Sequence, residues 1–170
     1  MSIGVRRATA ADAELVSVLN ADVQAVHAVA LPWRFKPPGP LSFPPTEASA
    51  LLANVENLVL VAQVDGEPAG YAYAEIVHRP ETSLTYAYEM LYVHHLSVRS
   101  EYRRKGVGSA LLDAVRAAGL DLGITLLALD VWSFNEGASA FFRRHGFDPY
   151  NERLWSRSAS YRPAAARSFG

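Results

Sequence analysis

The sequence predicts a single domain of the α/β (α+β) class, a mixed sheet with helices packed on it. Three observations point there. Runs of β-branched and aromatic residues alternate with segments whose apolar residues recur at helical spacing. Two of the strand-like runs are joined by an Asp65-Gly66 dipeptide, a hairpin turn signal. The 170 residues, half of them apolar and 19% charged, suffice to bury one full core and make a second domain improbable.

The first segment, "IGVRRAT", has the composition of a short strand, and residues 9–12 then offer capping side chains for a helix. In that helix Leu15, Val16, Leu19, Val23 and Val26 fall on one stripe. "LPWRFKPPGPLSFPP", residues 31–45, holds six prolines and is excluded from regular structure. It is long for a loop, and Trp33, Phe35 and Phe43 are expected to pack over something. A short helix around 46–54 precedes the hairpin, "LVLVAQV" and "EPAGYAYAEIV". After a polar stretch at 79–85, "AYEMLYVHHLSV" resumes as a strand up to Val98. Strict alternation there puts Tyr92, His94 and Leu96 on one face and His95 on the other.

The next helix places Val107, Leu111, Val115 and Ala118 on its buried face, with Ala110 and Ala114 alongside. "TLLALDV", residues 125–131, is apolar on both alternations and reads as a central strand. "NEGASAFFRRHGF" reads as a helix over 135–145 ended by Gly146, and "DPYNERLWSR" as a last strand that forms an edge or a dimer contact. The expected domain is thus 1–157, with 158–170 as a loose tail.

Composition narrows the function. A formal net charge of -1 provides no global basic field, which argues against nucleic acid or a membrane surface as partner. Arg103, Arg104 and Lys105 are a local basic cluster, but three charges give little nucleic-acid affinity at physiological salt. The absence of cysteine excludes disulfides, thiolate nucleophiles and thiolate metal sites, and it fits a cytoplasmic protein. No signal peptide or membrane span is expected from the pattern, and no metal.

The segment richest in chemistry is "SVRSEYRRKGVGSALLDAV". A strand that runs through a glycine-bearing turn into a helix makes an anion site, because first-turn amides are unpaired and the helix dipole favours negative charge. Gly106 and Gly108 allow close backbone approach, and Ser109 adds a hydroxyl. The expected ligand is a phosphate or pyrophosphate. A P-loop is excluded because Lys105 precedes the first glycine, and a dinucleotide fingerprint because its third glycine position is Leu111.

The pattern that fits is R-x-x-G-x-G/A, present as 103–108 after the strand "HHLSV". Together with the later "NEGASAFFRRHGF", it makes the chain resemble the GNAT superfamily of acyl-CoA-dependent N-acyltransferases over nearly its whole length. The resemblance implies a mostly antiparallel sheet of about six to seven strands, helices on both faces, and a splay between the fourth and fifth strands. It implies acetyl-CoA as cofactor. Main-chain groups of Leu96, Ser97 and Val98 would pair with pantetheine, and Arg103, Arg104, Lys105, Gly106, Val107, Gly108 and Ser109 would hold the pyrophosphate. Asn135 and Phe142 would also meet the cofactor.

The implied reaction is acetyl transfer to a primary amine of a small molecule or peptide by direct attack, with a backbone N–H near Leu96 polarising the carbonyl. The serotonin acetyltransferase branch is similar in placing a histidine where this chain has His94, and an imidazole is suited to take a proton at neutral pH. His94 is therefore either that base or a histidine bonded within the sheet. Glu75 and Glu89 are alternative bases or ordinary solvent-facing carboxylates. Tyr92, Trp33 and Phe35 either shape the acceptor pocket or pack. Phe142 departs from the family, which often has a proton-donating tyrosine there. That departure keeps a second function open, an acyl-CoA-binding regulatory module without turnover. The family also suggests a homodimer.

Overall fold

The computed structural model describes residues 1–39 and 42–156. They divide into two compact units, with the boundary between Val131 and Trp132. The expected tail at 158–170 lies outside the described residues.

The first unit is built on one sheet of five strands in the order β1 (Ile3–Arg7), β2 (Asn57–Val64), β3 (Glu67–Arg79), β4 (Tyr88–Val98) and β5 (Leu127–Leu129). The first three pairings are antiparallel and β4 with β5 is parallel. Asp65 and Gly66 form the β2–β3 turn with φ of 51° and 91°. Both residues are left-handed, the conformation that matches a two-residue turn to strand twist.

Helices cover both faces. On one side α1 (Ala13–Ala30) and α2 (Pro45–Ala53) bury Val16, Leu19 and Ala48 against Val59, Val61 and Tyr71. On the other α3 (Val107–Asp121) buries Val107, Leu111 and Val115 against Leu60, Ala62, Ala72, Ala74, Leu91 and Val93. Lying between these two layers explains why β2 is buried almost throughout, as an apolar run rather than an alternating one. At its entry α1 is held by Asp12, whose carboxylate accepts from Arg6 Nη2 at 2.7 Å and from the Thr9 amide at 2.7 Å. The Arg6 guanidinium hydrogen-bonded to Asp12 holds that carboxyl well below the usual range.

In the second unit α4 (Glu136–Arg144) starts at Asn135, whose Oδ1 accepts from the Ala138 amide at 3.1 Å. It ends at Gly146, with φ of 79°, and the Phe147 amide donates back to the Phe142 carbonyl at 3.1 Å. The rings of Phe141 and Phe147 pack against Phe142.

Three expectations need correction. The sheet has five strands among the described residues, not six to seven. Residues 148–156 form no strand. Pro149 removes a donor there, and the large apolar residues Tyr150, Leu154 and Trp155 are exposed and do not alternate, so the segment has no face to bury. The "TLLALDV" strand is only three residues long and lies at the end of the sheet, not its centre.

Candidate active site

Two features of β4 build the site. It pairs with β5 only from Leu91 to Val93, so from 94 to 98 no strand among the described residues lies on that side. Its pairing with β3 also slips: Val93 opposes Ala74 while His95 opposes Tyr73, which leaves His94 as the extra residue of a β-bulge.

The bulge reverses the sense of alternation. Before it, the Leu91 amide points away from β3 and donates to Leu126 O; after it, the Arg99 amide points toward β3 and donates to Ala69 O. Residues 91 and 99 have the same parity and would point the same way in a regular strand. Past the bulge, the main-chain groups of Leu96 and Val98 therefore face the open edge, while Ser97 pairs back with Tyr71. The Ser97 hydroxyl is committed to Leu19 O at 2.7 Å.

The same bulge brings His94 and His95 together against Tyr73, which corrects the strict alternation expected from the sequence. His94 stacks on Tyr73 with centroids 4.7 Å apart and stands edge-on to Tyr92 at 4.8 Å. His95 meets the same Tyr73 ring edge-on at 5.6 Å. Leu96 packs with the α3 core.

His94 Nε2 lies 2.7 Å from Glu75 Oε2, and both side chains are about one third exposed, 33% and 38%. Tyr73 reaches Asn57 Oδ1 with its hydroxyl at 3.4 Å, and burial followed by the nearby Glu75 charge pushes its phenol up. Glu89 goes elsewhere. Its odd-numbered neighbours Leu91 and Val93 pack toward α3, and Glu89 itself bonds His78 Nδ1 at 2.7 Å, with His78 Nε2 3.2 Å from Glu56. Glu75 and Glu89, equivalent in the sequence, thus belong to different clusters.

His95 is the end of a buried polar chain. Asn20 Nδ2 donates to Tyr71 Oη at 2.8 Å, and Tyr71 Oη lies 2.6 Å from His95 Nδ1. Burial, with smaller contributions from His94 and His27, pushes the His95 imidazole down to about 4; burial likewise raises Tyr71. In the proline-rich loop Phe43 stands edge-on to His95 at 6.0 Å and joins the α1/α2 core. Phe35 stacks on His27 at 5.0 Å, and Trp33 is 40% exposed.

The glycine turn follows β4. Arg104 and Gly106 have φ of 59° and 89°, and Gly106 is the N-terminal cap of α3, where it has no side chain of its own to bond the helix end. The three basic residues divide. Arg103 donates Nε to Val98 O and Nη2 to Asp22 Oδ1, both at 3.1 Å, while Lys105 Nζ sits 5.6 Å from the Tyr102 ring centroid. Arg104 and Lys105 are exposed, and Gly108 and Ser109 lie in the first turn of α3. A glycine-capped helix end and a strand edge that no neighbouring strand among the described residues covers suit a ligand with a diphosphate and an amide-bearing arm.

A family model described as the acetyltransferase (GNAT) family matches residues 25–147. The chain belongs to that family. Of curated relatives, an uncharacterized N-acetyltransferase in the pepI 3' region of Lactobacillus delbrueckii subsp. lactis is 25% identical over 93 residues, 55% of this chain and 53% of the relative. This GNAT chain thus spans about half the length of that relative. Among solved structures, a variant of the BH1408 protein from Bacillus halodurans superposes with a TM-score of 0.85 at 22% identity, covering 91% of this chain and 99% of that one. AAC(6')-Iy, solved with the bisubstrate analogue CoA-S-monomethyl-acetylneamine, superposes with a TM-score of 0.71 at 18% identity, covering 93% and 99%. At these identities the likenesses speak for the GNAT fold.

In this GNAT domain the residues singled out from sequence separate clearly. His94, Glu75 and Tyr92 come together, and Leu96 and Val98 share one edge. Asn20, Tyr71 and Tyr73 are not among the residues singled out from sequence, and His95 is there only as a residue on the face opposite His94. One signal was available: Asn20 interrupts the apolar stripe of α1 and is nevertheless buried.

Proposed function

We propose that this GNAT chain transfers an acetyl group from acetyl-CoA to a primary amine of a small molecule or peptide by direct attack. The observation that carries the reading is the unpaired edge of β4, next to the glycine-capped start of α3 and continuous with the bulged His94 held by Glu75. The main chain of Leu96 and the amide of Val98 face the amide-bearing arm of the donor, the Val98 carbonyl being bonded to Arg103 Nε. First-turn amides of α3 and the exposed Arg104 and Lys105 hold the diphosphate.

The thioester supplies an activated carbonyl and a leaving thiolate. The protein supplies orientation and a place for the proton. A His94 ring that directs Nε2–H at Glu75 presents the lone pair of Nδ1 as the acceptor for the proton the amine releases as its C–N bond forms. The thiolate then leaves and takes up a proton from solvent.

In support, AAC(6')-Iy was solved with a CoA-based bisubstrate analogue, and this chain shares its fold. The test is free-thiol release from acetyl-CoA across amines, amino-acid amides, aminoglycosides and peptides. Release that depends on the amine supports transfer.

A second reading, a binding module without turnover, is favoured by Phe142, which has no proton to give and packs among Phe141 and Phe147. A rise in Tm with acetyl-CoA and no thiol release from any acceptor would select it.

A further inference from the structure

The two adjacent histidines are locked in opposite senses. Tyr71 is fully buried and, among the described residues, its Oη meets only Asn20 Nδ2, which donates to it, and His95 Nδ1, so the phenol proton has only His95 Nδ1 to go to; Asn20 Nδ2 also lies 3.5 Å from that nitrogen. Two donors converge on Nδ1, and burial keeps the ring neutral near pH 7. The one ring proton therefore sits on Nε2. That nitrogen has no partner among the described residues, and no buried side-chain nitrogen or oxygen among them is left unbonded, so Nε2–H opens on solvent. His94 is the reverse: Nε2–H is given to Glu75 and Nδ1 is left as an acceptor. Both rings lie against Tyr73.

We propose that His95 is a fixed hydrogen-bond donor of the acceptor site, and that the acceptor is an amine carrying an uncharged oxygen, a hydroxyl or an amide carbonyl, a few bonds from its nitrogen. The inference rests on the reading of this face as the place of acyl transfer. His94 takes the amine proton while His95 holds the oxygen, which sets the nitrogen relative to the base. An uncharged oxygen is favoured because Glu75 already places a carboxylate on this face, and a second carboxylate on the acceptor would be repelled by it.

The experiment is nitrogen-15 imidazole NMR of the full chain titrated with 2-aminoethanol, glycinamide and propylamine, paired with thiol release from acetyl-CoA. The His95 signals are identified by their loss in His95→Leu. The expected result is a His95 ring protonated on Nε2, whose Nε2 signal moves with 2-aminoethanol or glycinamide and not with propylamine. Which of the two moves it distinguishes a hydroxyl from an amide partner. In turnover, the preference for the oxygen-bearing amine over propylamine is about 3–10-fold, falls to near unity in His95→Leu, and is largely kept in His95→Gln, which retains a donor.

An equal response to propylamine, or no response to either oxygen-bearing amine, overturns the proposal. A shifted Nε2 signal without thiol release leaves it standing and overturns the acyl-transfer reading instead. If His95→Leu does not fold, Tyr71→Phe serves. Combined with Asn20→Leu, which removes the second donor, it frees the ring to populate the Nδ1–H tautomer, and nitrogen-15 signals of His95 identical to those of the wild type contradict the lock.

Discussion

His94 is placed by the backbone. As the extra residue of the β4 bulge it has no partner residue on β3, which turns its ring beside Tyr73 and within 2.7 Å of Glu75. If it takes the amine proton, His94→Gln lowers kcat by about 100-fold or more while acetyl-CoA still raises Tm as in the wild type. Unchanged kcat in a steady-state assay would return His94 to a structural role. Glu75→Gln keeps the shape of the pair and removes the charge, so kcat falls less than in His94→Gln and KM for a cationic amine rises. Gly106 holds φ of 89° at the start of α3, and valine is strained there. Gly106→Val is expected to abolish the acetyl-CoA-dependent rise in Tm; an equal rise in both proteins would separate the turn from cofactor binding.

At the scale of elements, β4 carries the site because its two sides end differently. β3 follows it to Val98, whereas β5 leaves it after Val93. The close approach of β3 to the open half depends on Gly70, where an added Cβ would run into the Ser97 carbonyl oxygen and the Val98 Cα. Gly70→Ala is expected to cost about 1–3 kcal/mol in thermal or denaturant unfolding and to shift the Leu96–Val98 edge. A neutral result would mean that the two strands separate at no cost. Much of this was legible in the sequence: "DG" announced the hairpin, the spacing of Val107, Leu111 and Val115 announced α3, and Gly106 announced its cap. The bulge was not legible, because His94-His95 within "LYVHHLSV" carries no glycine or proline to mark an extra residue. A slip of one residue moves every later side chain to the other face, so the pairing of His95 with Tyr71 and Asn20 stayed hidden. The strand expected at 148–157 is absent over the described residues 148–156 for the opposite reason: they are strand-like in type but have no face to bury.

For the whole molecule, the largely buried imidazole of His95 makes stability depend on pH. Burial sets His95 at about 4 in the folded state, below its ordinary 6.5. Between those values the unfolded chain binds a proton that the native chain refuses, so its contribution is full above about 6.5 and declines as pH falls toward 4. His27 is shifted the same way by burial. His78, hydrogen-bonded to Glu56 and Glu89, is raised, so its small contribution is present below 6.5 and fades as pH rises through its folded value. Tm is thus expected to fall from pH 6.5 to 4, and to fall less steeply in His95→Gln; parallel slopes in calorimetry would contradict the assignment. The central claim concerns what the open edge of β4, the glycine turn and His94 do together. It is tested most directly by free-thiol release from acetyl-CoA with and without an amine bearing a hydroxyl or amide oxygen. Release is expected to require the amine and to be lost in His94→Gln. Thiol release that is the same without amine, or absent with every amine tried, would contradict it.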